Sequence, residues 1–319
     1  MKTRGKIITL TMLAGATTGA IYVLNKFREL SDTVENIFGN TEGEFYNWRF
    51  GKVFYTKQGS GKPVLLVHDL NATSSHYEWS EIVDKLAKTN TVYTIDLLGC
   101  GKSDKPNLTY TNFLYVQLLN DFIKHVIGEK TDIIATSESS AIAIMTCTNN
   151  AELINRIILV NPISPISLAK IPTKESTIIR DLINIPIIGT LLYNILIRRT
   201  TITNDFRRKY FYNPAHVTDK LINTYLESSH IGETHSKYLY ASIVSRYTNT
   251  NIMQGLNHIN NSIYIIVGSG NPENVLAADQ YQNEVPAIEI VKMDNTKLLP
   301  QLEAPNEFME HLRVFLETE

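Results

Sequence analysis

The stretch Asp132-Ile133-Ile134-Ala135-Thr136-Ser137-Glu138-Ser139-Ser140 decides how the rest of the chain is read. Thr131 to Ala135 is a short apolar run that predicts a buried strand, Ser139 to Thr148 predicts a helix, and small-x-Ser-x-small lies between them. A strand that turns into a helix this abruptly leaves little room for side chains two positions before and after the apex. Ala135 and Ser139 meet that demand. Ser137 then stands at the apex, its hydroxyl aimed out of the sheet where unpaired N–H groups and the helix dipole favour developing negative charge. On these residues alone a strand followed by a serine-rich helix cap fits equally well, because serine is a preferred N-cap.

Moving outward, the segments alternate. Phe45 to Phe50 and Lys52 to Lys57 predict two strands, and Pro63 to His68 is a continuous apolar run of the kind buried on both faces of a sheet. Tyr77 to Ala87 carries Trp79, Ile82, Val83 and Leu86 at helical spacing, followed by a strand over Thr91 to Ile95. A helix over Asn112 to Ile127 and strands at Thr131 to Ala135 and Arg156 to Val160 continue the rhythm. This succession predicts an α/β fold: a mostly parallel sheet flanked by helices, with ligands at the carboxyl ends of the strands. From Ile166 to Gln254 no strand is predicted, and Pro172, Pro186 and Pro214 punctuate helical stretches. Within that insertion Leu182 to Ile197 is too apolar for one solvated face and is expected to cover something. Alternation returns with Ser262 to Val267, Ala287 to Val291 and a closing helix from Pro305 to Leu316. The expected organisation is an anchor over residues 1–28, a first core part over 29–165 that opens on a polar linker from Glu29 to Glu44, a helical lid over 166–255, and a second core part over 256–319.

Composition narrows the function. Thirty Lys and Arg against thirty-two Asp and Glu leave a net charge of -2, and with 19% of residues charged and no long run of one sign, no nucleic-acid partner is expected. A chain of 319 residues buries roughly three quarters of its unfolded surface, so its core needs no staples. Two cysteines, Cys100 and Cys147, exclude a disulfide framework and a four-thiolate zinc site. No histidine and cysteine cluster has ligand spacing and no glycine-rich phosphate loop follows a strand, so neither metal nor cofactor is expected.

Residues 7–24, IITLTMLAGATTGAIYVL, carry no charge over 18 positions and read as a membrane-anchor helix through which the chain meets a lipid bilayer. Lys2, Arg4 and Lys6 ahead of it against Lys26 and Arg28 after it favour a cytoplasmic N-terminus, with the rest of the chain extracytoplasmic. The alternative is a cleaved signal peptide with Ala14-Gly15-Ala16 as the site, giving a secreted protein. That cut would strand an apolar stub, Ala20 to Leu24, at the new terminus.

The stretch around Ser137 resembles a nucleophile elbow, and its neighbours extend the likeness. His68-Asp69-Leu70-Asn71 closes the third strand, Trp79 lies in the next helix, and Asp96-Leu97-Leu98-Gly99-Cys100-Gly101-Lys102-Ser103 closes the fourth strand. In this order they resemble the H-G-x turn, helix tryptophan and D-x-x-G-x-G-x-S turn of the α/β-hydrolase superfamily, in its cap-bearing branch of serine esterases and lipases. The likeness runs from Tyr46 to Phe315. It implies Ser137 as nucleophile, an oxyanion hole from the N–H groups of Leu70 and Glu138, and the helical insertion as a lid. Two positions depart from the pattern. The acid expected after the seventh strand as G-x-x-D-P is Asn271 in Gly268-Ser269-Gly270-Asn271-Pro272, and the histidine expected in H-x-P-x-x-E-x-P is Leu298 in Leu298-Leu299-Pro300-Gln301-Leu302-Glu303-Ala304-Pro305.

Leucine can neither accept nor return a proton, and losing the histidine of such a triad costs on the order of a million-fold. The resemblance with these departures therefore implies a hydrolase fold in which hydrolysis of a small ester or amide is lost or strongly impaired. Two alternatives stay open: an active hydrolase using a relocated base, His68 or His230, and a non-catalytic receptor for a small apolar ligand. His68 reads more readily as shaping the oxyanion loop, and His230 as a lid histidine.

Overall fold

Eight strands form one sheet in the order β1-β2-β4-β3-β5-β6-β7-β8, built from β1 (Glu44–Trp48), β2 (Gly51–Gln58), β3 (Lys62–Val67), β4 (Asn90–Ile95), β5 (Thr131–Thr136), β6 (Ile154–Val160), β7 (Ser262–Gly268) and β8 (Glu289–Met293). The structure, a computed structural model, describes residues 2–39 and 41–317, with side chains from Gly15 onward. The β1–β2 and β2–β4 pairs are antiparallel and every pairing from β4 to β8 is parallel.

Helix α1 (Lys2–Asp32) precedes the sheet, and α2 (Val83–Leu86), α3 (Asn112–Phe122) and α4 (Ser139–Asn149) alternate with the first strands. Between β6 and β7 stand α5 (Pro165–Leu168), α6 (Lys174–Asn184), α7 (Ile188–Leu196), α8 (Arg199–Asp205), α9 (Asp219–His230), α10 (Ser236–Val244) and α11 (Met253–Leu256), with no strand among the described residues. These helices form the cap. The fold closes with α12 (Pro272–Glu284), α13 (Pro300–Glu303) and α14 (Pro305–Glu317).

Period-two alternation sorts the sheet's side chains onto two cores. Leu65, Val67, Ile133 and Ala135 face α3, α4 and α12, where Leu118, Ile142 and Tyr281 pack. Val64, Leu66 and Ile134 face Trp79 and the Phe308 and Leu312 side chains of α14. A third cluster, with Tyr193, Phe206 and Tyr225 at its centre, holds the cap together and against Leu299. The parallel register sets Val67 beside Ala135 and Thr136 beside Val160, so the loops after β3, β5 and β6 open at one edge, the edge the cap covers.

Three expectations need correction. The helix expected over Tyr77 to Ala87 is a 3-10 turn, His76–Trp79, capped by Ser75, followed by the single turn α2; Trp79, Ile82 and Leu86 are nonetheless buried as their spacing demands. Leu182 to Ile197 breaks at Pro186 into α6 and α7, bent by 106°. Only part of it covers anything: Ile183 and Tyr193 are buried, while Leu182, Ile188, Ile195 and Leu196 are exposed. The start of the expected linker is not a linker. Helix α1 continues to Asp32 and docks on the cap, because polar side chains at Asn25, Glu29 and Asp32 find partners there. Asn25 donates to the Ile187 carbonyl at 2.9 Å and accepts from Asn194 at 3.1 Å, and Glu227 of α9 accepts the N–H groups of Ile37 and Phe38 at 2.9 and 3.1 Å.

Among the described residues no single helix is long and apolar enough to cross a membrane. The first part of the 7–24 stretch, up to Ala14, lies outside the residues whose side chains are described.

Candidate active site

Ser137 sits on the turn between β5 and α4 with φ 52°, a left-handed backbone that a non-glycine residue adopts only when its surroundings enforce it. They do so here through the Ser137 N–H, which donates to Val160 O at 2.9 Å, and the Ser139 hydroxyl, which donates to His68 O at 2.6 Å and ties the turn to the end of β3. The hydroxyl side of the elbow is covered, Ser137 being 3% exposed.

What faces Ser137 is the side chain of Asp69. Its carboxylate accepts the Glu138 N–H at 3.1 Å, and the nearby Leu70 N–H and Ser137 hydroxyl help to hold its pKa down. Of the two backbone donors that the resemblance assigns to an oxyanion hole, the Glu138 N–H is thus already bound to an oxyanion of the chain itself, and the Leu70 N–H has that charge beside it. Burial pushes the Asp69 carboxyl up to about 6, against the opposing pull of those hydrogen bonds. Beneath it, the Asp69 N–H donates to both oxygens of Glu78 at 3.2 and 3.3 Å, and Gln301 Nε2 donates to Glu78 Oε1 at 3.1 Å. Glu78 is fully buried, and burial, with the neighbouring Asp69 charge adding to it, pushes its carboxyl up to about 8. Burial and then Asp69 likewise push Glu138 up to about 7. Three carboxyls with raised pKa values therefore surround the serine.

The cap closes this site with aromatic rings. Tyr225 is buried and Tyr210 half-buried, and both phenols are pushed up by burial and then by the charges of Asp69 and Glu78. A groove of about 510 Å³ lies between Lys102–Pro106 and Ile231–His235, and Ser137 does not line it.

The two departing positions are placed clearly. Leu298 packs against the cap cluster, and its loop is fixed from behind by Asn161, whose Nδ2 donates to Lys297 O at 2.8 Å and Leu298 O at 3.0 Å while its Oδ1 accepts the Gly268 N–H at 2.9 Å. Asn271 caps α12: its Oδ1 accepts the Glu273 N–H at 3.1 Å, and its Nδ2 donates to Asn274 at 3.3 Å. It is engaged in its own helix, not with Ser137.

Neither substitute histidine reaches the serine. His68 is fully buried; its Nε2 accepts the Leu97 N–H at 3.0 Å, which leaves Nδ1–H to donate to Asp69 O at 2.7 Å. Both nitrogens are spent on backbone, burial lowers its pKa, and the idea of His68 as a base is corrected on that ground. His230 lies inside the cap, with Nδ1 against Ser229 Oγ and Leu226 O at 2.8 and 3.0 Å and Nε2 3.5 Å from Asp32 of α1. Burial lowers it to about 4, and its neighbours belong to α1 and the cap, so the idea of His230 as a base is corrected too. The residue that reading the sequence missed is Asp69. The signal was present: it stands where the H-G-x turn carries glycine.

Comparison with known proteins places this geometry. The model of the alpha/beta hydrolase family matches residues 64–311. The chain is 30% identical over 139 residues to a 2-hydroxy-6-oxo-6-(2'-aminophenyl)hexa-2,4-dienoic acid hydrolase of Metapseudomonas resinovorans, covering 43% of this chain and 47% of that one. It is 27% identical over 112 residues to a soluble epoxide hydrolase of Corynebacterium sp. (strain C12), covering 35% and 38%. The chain thus spans about half or less of the length of these relatives. Among solved structures, a serine hydrolase involved in carbazole degradation superposes with a TM-score of 0.70 at 18% identity, over 86% of this chain and 98% of the other. A membrane phospholipase A described as a bacterial virulence factor superposes at 0.68 and 17% identity, over 99% and 98%. With the match running from Val64 through the elbow at Ser137 to His311, the chain belongs to the alpha/beta hydrolase family.

Proposed function

We propose that this chain is a membrane-anchored α/β-hydrolase-fold protein in which hydrolysis of a small ester or amide by Ser137 is lost or strongly impaired. The observation that carries the reading is the Asp69 carboxylate seated on the Glu138 N–H, with the Leu70 N–H close by. A substrate carbonyl oxygen needs those donors as its charge develops, and a resident carboxylate both occupies them and repels the incoming charge. Leu298 compounds the loss, since a hydrocarbon side chain stands where the family carries the imidazole that takes the serine proton. The aromatic and apolar cap side chains packed over this end of the sheet suit a small apolar ligand or ester. Residues 7–24 serve as the anchor, with the hydrolase-fold part on the extracytoplasmic side, and the likeness to a membrane phospholipase A over nearly the whole chain supports a membrane setting.

The test is treatment of the purified protein with a fluorophosphonate probe alongside turnover of short acyl esters. Negligible labelling at Ser137 is expected, and rapid labelling overturns the reading. A thermal-shift screen with fatty acids and small lactones separates a receptor, which is stabilised without consuming its ligand.

A second reading is favoured by one observation: the Asp69 carboxyl, in contact with the Ser137 hydroxyl, has its pKa raised by burial to about 6, near that of an imidazole. In that reading Asp69 itself accepts the proton, and slow turnover falls away below about pH 6.

A further inference from the structure

Helices α6 and α7 meet at an elbow whose outer surface is apolar although nothing in the fold covers it. Ile178, Leu182, Ile188 and Ile195 are 59%, 49%, 57% and 54% exposed, with Ile179 and Ile185 alongside. Single exposed apolar residues are ordinary, but a set this dense on one structural unit marks a surface that meets something.

The elbow is also held stiffly. Ile187, at its apex, has φ 64°, a left-handed conformation that a β-branched side chain resists. Its carbonyl is held by Asn25 of α1 at 2.9 Å, and Lys237 of α10 reaches from inside to Ile185 O at 3.3 Å and the Thr190 hydroxyl at 3.0 Å. Polar bonds on the inner side fix a shape that shows isoleucines on the outer side. Ile183, Gly189 and Tyr193 are buried in the cap, so only one face of α6 and α7 is free. One free face suits lying on a membrane surface and excludes crossing it.

The position of α1 identifies the occupant. The helix reaches the elbow at Asn25, and residues 7–24 lie on the N-terminal side of that contact. Tyr22, Val23 and Leu24 are exposed there, at the level of Ile187. If residues 7–24 cross a bilayer, the elbow lies at its surface, with Tyr22 at the interface where its ring is favoured. Charge agrees. Residues 166–255 hold eleven Lys and Arg against six Asp and Glu, a net of +5, while the remainder of the chain is -7. Lys170, Lys174 and Arg198, toward the outer ends of α6 and α7, are exposed, as are the acidic Glu175 and Asp181 of α6. The net positive charge of the cap behind an apolar tip fits an anionic lipid surface, and it disfavours a second copy of the same positive cap.

We propose that the α6–α7 elbow inserts into the headgroup layer of an anionic bilayer beside the emerging α1, so that the cap rests on the membrane. The proposal rests on the anchor reading of residues 7–24 and adds a second, separate contact.

The test uses the full chain in vesicles of phosphatidylcholine and phosphatidylglycerol carrying nitroxide-labelled lipids. A fluorophore is placed at one site at a time through Ile179→Cys, Ile188→Cys, Val23→Cys or Glu310→Cys; the native Cys100 and Cys147 are buried and do not compete. Quenching several-fold stronger at 179 and 188 than at the exposed control 310, and weaker in vesicles of phosphatidylcholine alone, is the expected result. Quenching at 23 with 179 and 188 at the control level overturns the elbow contact and leaves the anchor standing. No quenching at any site overturns both. Protection of 188 from a water-soluble quencher in lipid-free detergent, together with a dimer on a sizing column, also overturns the proposal by assigning the surface to a second copy.

Discussion

Replacing Asp69 by glycine isolates the central claim. In the native protein the Asp69 carboxylate takes the Glu138 N–H at 3.1 Å and sits beside the Leu70 N–H and the Ser137 hydroxyl. Asp69→Gly frees the Glu138 N–H, removes the charge beside Leu70 and restores the residue type of the H-G-x turn. One such donor is worth roughly 100- to 1,000-fold in stabilising an oxyanion, about 3 to 4 kcal/mol, so fluorophosphonate labelling of Ser137 should rise at least ~100-fold even though no base has been added. Asp69→Asn is the matched control. Its amide oxygen still accepts from the backbone, so labelling should stay near the native rate. The two variants also differ from the native chain in stability. The folded pKa of Asp69 is raised from 3.8 to about 6, so its contribution favours folding fully below pH 3.8 and is lost as pH rises through 6. Above pH 6 the buried charge costs about 3 kcal/mol relative to acid conditions, and Asp69→Asn should therefore raise the melting temperature at pH 8 and change little at pH 4. Equal labelling of native, Asp69→Gly and Asp69→Asn proteins, all folded by circular dichroism, would refute the blocked-hole reasoning.

Further outcomes follow from the same residues. Glu78 is raised from 4.5 to about 8 by the same sense of shift, so native stability should decline between pH 5 and 8, and Glu78→Gln should flatten that decline in urea denaturation curves. Asn161→Ala removes three hydrogen bonds to Lys297, Leu298 and Gly268 and should cost about 2 to 4 kcal/mol in the same assay; a loss under 1 kcal/mol argues against Asn161 as the brace of that loop. On the Asp69→Gly background, adding Leu298→His and Asn271→Asp should raise turnover of short acyl esters by ~100- to 10,000-fold over Asp69→Gly alone. No gain there would mean that the loop before α13 does not bring residue 298 to the serine.

Much of the fold was legible because it is carried by local periodicity. The apolar runs at Val64 to Val67 and Ile133 to Ala135 alternate between two cores as strands must, and small residues at 135 and 139 marked the turn at Ser137. Leu298 and Asn271 could be read as departures because Pro300, Glu303 and Pro305 kept their spacing. The rest needed long-range contacts. The spent nitrogens of His68 depend on Leu97, which the β3–β4 register brings near and sequence spacing does not. The docking of Asn25, Glu29 and Asp32 on the cap looked like ordinary linker polarity, since their partners lie some 160 to 200 positions away. The excess of isoleucine in 182–197 was visible, but periodicity could not say which side of it the protein leaves bare.

The length of α1 carries a mechanical consequence. One unbroken helix runs from Lys2 to Asp32, and its last two turns are pinned to α7 through Asn25 and to α9 and its following turn through Asp32 and Glu29. A helix of 31 residues is about 46 Å long, and a rod of that length works as a lever arm. If residues 7–24 are the anchor proposed above, tilting the far end by a few degrees, as a change in bilayer thickness does to a tethered rod, would deliver torque to the lid and not to the sheet. Under that proposal access to the covered serine would be geared to the lipid around the tether, with the Asn25 to Ile187 bond as the tooth that transmits the motion.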